Sequence, residues 1–114
     1  MTKNNQFELI LCIVNTGYTD LVMEAASKNG ARGGTVLTAR GSGNLEAEKL
    51  YGITITPEKE IVMIVVPKDI KDNVLKAIYE EAGLDTRGQG IAFSLPVDEA
   101  VGLNAGIEAE KYEN

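Results

Sequence analysis

Apolar residues gather in four short runs along the chain, separated by stretches with a different rhythm. The first run, FELILCIV at 7–14, is too short for a helix. It is apolar on both alternating faces at its centre, as expected of a central strand covered by other elements. After Thr16 and Gly17 the period changes. In YTDLVMEAASKNG, helical spacing brings Tyr18, Leu21 or Val22, and Ala25 or Ala26 to one side, and Gly30 is placed to end the helix as its C′ residue. GGTVLTA at 33–39 follows a glycine pair with β-branched residues and predicts a second strand.

Residues 40–59 break this order. GSGN, the charged LEAEK, LYG and TPEK succeed one another with no sustained period. An excursion of roughly 20 residues is long for a connection inside a compact domain, where such loops carry function or disorder. IVMIVV at 61–66 is the strongest strand pattern, stopped by Pro67. Asp69 is placed to cap the next helix, in which Ile70, Val74, Ala77 and Ile78 form the apolar stripe and Gly83 ends the run. IAFSL at 91–95 is a fourth strand. The tail, 97–114, is acidic and only partly patterned, and reads as a short helix or a segment that wraps a neighbour.

The order βαββαβ predicts an α+β, ferredoxin-like sandwich: an antiparallel four-stranded sheet with two helices on one face. No internal repeat or linker divides the 114 residues, so a single domain is expected.

Composition then removes several functions. With 44% hydrophobic and 25% charged residues the chain falls among soluble globular domains. Its net charge of -6 argues against a general nucleic-acid or anionic-membrane surface, which needs a basic field. One cysteine, Cys12, and no histidine leave neither a disulfide framework nor a Cys/His zinc site, and exclude Ser-His hydrolysis. Glu8 interrupts the first apolar run and no small-residue cleavage site follows it, so a strand is expected there rather than a secretory signal. No stretch approaches the roughly 20 apolar residues of a membrane span. A cytoplasmic location is the expectation.

Three arginines remain to be explained, Arg32, Arg40 and Arg87, each followed by glycine at a strand end: ARGG, ARGSG and TRGQG. A guanidinium clamps phosphate or carboxylate with parallel hydrogen bonds, and glycine lets the backbone approach an anion. Chance pairing of two common loop residues gives the same pattern, and the two readings stand level. GSG and GQG are weak motifs: GQG opens a strand rather than a helix, and no Walker lysine follows either. Glu46, Glu48, Glu58 and Glu60 offer acid–base or hard-metal chemistry, but a solvated charged loop is the better account. Tyr51, between Leu50 and Gly52, reads equally as a recognition or modification point and as a packing anchor.

These residues resemble a family. NGARGGTVLTARGSG, IVMIVVP and GQGIAFSLPVDEAVGL, within about residues 7–103, are similar in kind and spacing to the P-II nitrogen-regulatory signal proteins. The last segment is the most specific, resembling the family's GDGKIF and the valine-rich stretch after it. The resemblance implies a non-enzymatic regulator: a homotrimer of ferredoxin-like subunits with nucleotide sites in the clefts between them. It implies no catalytic cofactor. It also implies that the 40–59 excursion is the loop that engages a target enzyme, transporter or regulator, with Asn44, Glu46, Glu48 and Tyr51 on it.

By position, the resemblance makes Thr35 the adenine-contacting threonine and Val65 the strand residue whose backbone meets the base. Gly41 and Gly43 match the glycines at the foot of the loop, and Lys59 the lysine that closes it and pairs with an organic acid. Gly88, Gln89 and Gly90 match the phosphate-binding GDG. Ile91, Gly102 and Asn104 replace three family cations, and Leu45 replaces the glutamine that serves magnesium and 2-oxoglutarate. With these departures the implied effector is ATP, ADP, AMP or another adenosine compound, with Arg40 and Arg87 supplying charge. Uridylylation is not expected, because the segment that carries the modified tyrosine is absent. The rival readings are a CutA-like trimeric metal-tolerance protein, which the lack of histidine disfavours, and an acylphosphatase-type hydrolase. The latter needs an arginine between the first strand and first helix, where VNTGYTD has none.

Overall fold

The computed structural model describes residues 6–41, 49–50, 52 and 58–103. Its elements run β1 (Phe7–Asn15), α1 (Thr19–Lys28), β2 (Thr35–Arg40), β3 (Glu58–Pro67), a 3-10 turn (Lys68–Ile70), α2 (Lys71–Glu81) and β4 (Gly90–Val97). The strands form one sheet in the order β2-β3-β1-β4, every neighbouring pair antiparallel. Both helices pack on the same face, which gives the expected ferredoxin-like α+β architecture.

Strict alternation creates the core. Ile10, Cys12 and Val14 of β1 and Val62, Ile64 and Val66 of β3 are buried on the helix-covered face. They meet Val22, Ala25 and Ala26 of α1 and Val74, Ala77 and Ile78 of α2. Burying each of the three core isoleucines, Ile10, Ile64 and Ile78, contributes about 1.5–3 kcal/mol. In α1 the buried member of the pair is Val22. Leu21 and Tyr18 are exposed, because Tyr18 occupies the N-cap position instead of the apolar stripe.

Both helices end as their glycines require. Ala31 N–H donates to Ala26 O (3.0 Å) and Gly30 N–H to Ser27 O (3.2 Å), while Leu84 N–H reaches back to Tyr79 O (3.1 Å). These local closing turns place Gly30 and Gly83 at positive φ, +101° and +73°. The start of α2 departs from expectation. Asp69 lies inside the 3-10 turn, and Ile70 takes the N-cap position without a side-chain hydrogen bond.

Strand limits also move. β3 begins at Glu58, three residues before its apolar run, because Glu58, Lys59 and Glu60 continue the ladder opposite Arg40, Ala39 and Thr38. It includes Pro67 as its last residue. β2 runs 35–40 rather than 33–39. Gly34 is a spacer, since a Cβ there would lie 2.9 Å from Met63 O and 3.0 Å from Ile64 Cγ1. β4 extends from Gly90 to Val97.

The opposite face of the sheet is also apolar, and neither α1 nor α2 covers it. The register aligns Leu37, Ile61, Ile13 and Ile91 in one row, Met63, Leu11 and Phe93 in the next, and Val65, Leu9 and Leu95 in a third. Leu37, Val65, Ile91, Phe93 and Leu95 are exposed and the β1 residues half-buried. The expectation that β1 is covered on both faces therefore holds for one face within a single chain.

Candidate functional site

The candidate residues fall into three groups. Thr35 opens β2 on the uncovered face, opposite Met63, and Val65 lies on β3 just past the point where β2 begins. Next to them is a cavity of about 220 Å³ lined by Phe7, Arg32, Val65, Pro67, Gly102 and Leu103. Arg32, known from the sequence only as one of the Arg-Gly pairs, brings a cation to this cavity. Gly102 brings none.

Arg40 ends β2 opposite Glu58, and Gly41 follows it at the foot of the long excursion. Lys59 is one residue inside β3, opposite both Ala39 and Asn15. Gly43, Asn44, Glu46, Glu48 and Tyr51 lie outside the described residues.

Arg87, Gly88, Gln89 and Gly90 form the third group, the turn that feeds β4. Arg87 is exposed and makes no hydrogen bond or ion pair among the described residues. Gly88 sits at φ +82° with open space around it. Gln89 N–H closes the turn onto Thr86 O at 3.2 Å, so that amide is already engaged. Gly90 differs from both: a Cβ there would collide with the backbone of Ile13.

The second and third groups are joined by a residue that the sequence reading passed over. Lys59 Nζ donates to Asn15 Oδ1 at 2.5 Å, and Asn15 Nδ2 donates to Gly88 O at 3.3 Å and to Gln89 Oε1 at 3.2 Å. Gln89 Nε2 continues to Ala82 O at 3.2 Å. The available clue was a single amide closing an apolar strand. The first group stays apart. β2 and β4 are the two edges of the sheet, so Thr35 and the Gly88–Gly90 turn are separated by three strand spacings across it, roughly 14 Å, and by a further three residues along it, since Gly90 shares a row with Thr38.

Two further features limit the chemistry. Glu60 Oε1 accepts the N–H of Gly17 at 3.1 Å, so the turn between β1 and α1 is occupied by a carboxylate from its own chain. An acylphosphatase-type cradle would need that turn for its substrate. Among the described residues no three His, Cys, Asp or Glu side chains are grouped to hold a metal. No helix among them is long and apolar enough to cross a membrane.

Fold and site together define a small α+β protein of the ferredoxin-like class, with its polar groups at sheet edges and loop feet. The family described as nitrogen regulatory protein P-II matches residues 7–106. Among curated relatives, a nitrogen regulatory protein P-II homolog of Arabidopsis thaliana is 31% identical over 96% of this chain, which spans 59% of that protein's length. A nitrogen fixation nifHD1 region GlnB-like protein 1 of Methanosarcina barkeri is 28% identical, covering 87% of this chain and 95% of its own. Among solved structures, that of Arabidopsis thaliana PII bound to citrate superposes with a TM-score of 0.70 at 31% identity, covering 95% of this chain and 92% of that one.

The chain belongs to the P-II family. Membership makes it a signal-transduction protein rather than an enzyme, in a family whose members bind small effectors and partner proteins.

Proposed function

We propose that this protein is a cytoplasmic P-II-like regulator that assembles as a homotrimer and binds ATP, ADP, AMP or another adenosine compound in the clefts between subunits. It passes the state of that site to a target enzyme, transporter or regulator through residues 40–59, in nitrogen regulation. The whole chain acts as one domain in this reading.

One observation carries the proposal. Thr35 and the Gly88–Gly90 turn lie at opposite edges of one sheet, with Val65 on the inner strand β3 and an apolar face, not a cleft, between them. The apolar face between those edges also has no cover among the described residues of a single chain. A second copy resolves both problems, because burying that face against a neighbour can bring one subunit's β2 edge toward another's β4 turn. An exposed contiguous apolar surface of this kind marks an association site. The citrate on the Arabidopsis relative supports an anion site in this fold.

Charge shapes the choice of ligand. Ile91, Gly102 and Asn104 offer no cation, while Arg32 beside Val65 and Arg87 beside the turn offer two at different points. Light scattering combined with calorimetry against ATP, ADP and AMP tests the reading. A trimer binding one adenine nucleotide per cleft is expected. A monomer at micromolar concentration, or a trimer that binds none of the three, would refute it.

A further inference from the structure

Asn15 is the one polar side chain on the uncovered face of β1, after Phe7, Leu9, Leu11 and Ile13. Its bonds admit one orientation of the amide. Lys59 Nζ only donates, so it faces Oδ1, and the Gly88 carbonyl only accepts, so it faces Nδ2. Donors therefore run in one direction: from Lys59 at the foot of β3 to Asn15, from Asn15 to Gln89, and from Gln89 to the Ala82 carbonyl that follows α2.

We infer that Asn15 is a positioning residue that couples Lys59 to the Gly88–Gly90 turn, so that an anion engaging either end is felt at the other. The inference rests on the reading above, in which both ends belong to the ligand site. Among the described residues Lys59 has no carboxylate partner, and its bond is to a neutral amide oxygen. A carboxylate or phosphate oxygen makes a stronger, charge-assisted bond to an ammonium group and competes for it. When Lys59 turns to such an anion, Oδ1 loses its donor and the amide is released to pivot. The bonds from Nδ2 to Gly88 and Gln89 change with it. The foot of the 40–59 segment and the turn before β4 thus respond as one hydrogen-bonded unit.

The test uses the full-length, isotope-labelled protein without ligand. Lys59→Met removes the ammonium, and in the parent it is expected to shift the backbone amide resonances of Gly88, Gln89 and Gly90. In an Asn15→Ala background the same change is expected to leave them in place. Asn15→Asp keeps the acceptor for Lys59 but lacks the donor for Gly88 O, and should uncouple the ends as alanine does. Gln89→Ala breaks the next link and serves if a change at Asn15 prevents folding. No shift in the parent, or an equal shift without Asn15, overturns the inference. Titration with ATP and ADP gives the second arm, in which Asn15→Ala is expected to weaken binding roughly tenfold, the effect of one or two hydrogen bonds. Unchanged affinity in a parent that binds also overturns it. Coupled shifts in a parent that binds neither nucleotide would uphold the relay and refute the nucleotide reading instead.

Discussion

Gly90 and Ile13 approach so closely that a Cβ on the glycine would lie 2.4 Å from the Ile13 carbonyl oxygen and 3.1 Å from Val14 Cα. The obstacle is backbone, which cannot swing aside as a side-chain tip can. The last glycine of GQG thus closes the β1–β4 ladder independently of any ligand.

Gly90→Val is therefore expected to destabilise the fold by about 3 kcal/mol or more, in the range reserved for severe packing conflicts. Gly88→Ala meets no atom within 4 Å and carries only the strain of φ +82°, about 1–2 kcal/mol. Urea unfolding of the two variants compares them directly. Equal losses would mean that the close approach at Gly90 is not what selects glycine.

The uncovered sheet face gives an assembly prediction. Phe93 lies in the row with Leu11 and Met63, away from the helix-covered core. Phe93→Lys should leave the helical circular dichroism unchanged and convert the proposed trimer to a monomer in light scattering. A persistent trimer would place the interface elsewhere.

Arg87 and Arg32 give the binding prediction. Each arginine replaced by alanine is expected to weaken the proposed adenine-nucleotide binding by on the order of 1.5–3 kcal/mol, the range for a hydrogen bond to a charged group. Arg87 is exposed and follows the end of α2, so its loss should not move the unfolding midpoint. Calorimetry on the assembled protein checks both. Parental affinity in Arg87→Ala would reduce TRGQG to a turn into a strand.

Burial pushes the Cys12 thiol up from 9.0 to about 12. Below pH 9 the thiol is protonated in both the folded and unfolded chain, and stability does not depend on it. Between pH 9 and about 12 the unfolded thiol ionises while the folded one does not, so stability falls as pH rises, by about 4 kcal/mol across the window. Lys28, held up by Glu24 and Glu81, and Lys71, held up by Asp72, act in the same direction at higher pH. Cys12→Ala should remove most of the alkaline slope in urea midpoints. Native Cys12 should also resist alkylation until the chain unfolds.

The sequence by itself determined the element order, the helix-covered core and the C-terminal ends of the helices. Those features are local: period-two alternation in β1 and β3, the Val74–Ala77–Ile78 spacing, and glycines at the two C′ positions carry their own evidence. It also carried the family resemblance, because the glycine and strand motifs recur at fixed spacing. Strand ends at Glu58 and Thr35 were hidden, since charged residues and glycines extend or begin a ladder only when a partner strand is present. Tertiary structure alone decided that Thr35 and the Gly88–Gly90 turn stand on opposite edges, that Gly90 is a packing glycine, and that Asn15 links Lys59 to Gln89. These contacts join residues more than 40 positions apart. Their reason is the sheet order β2-β3-β1-β4, which sets distant segments side by side and which no local pattern of residues records.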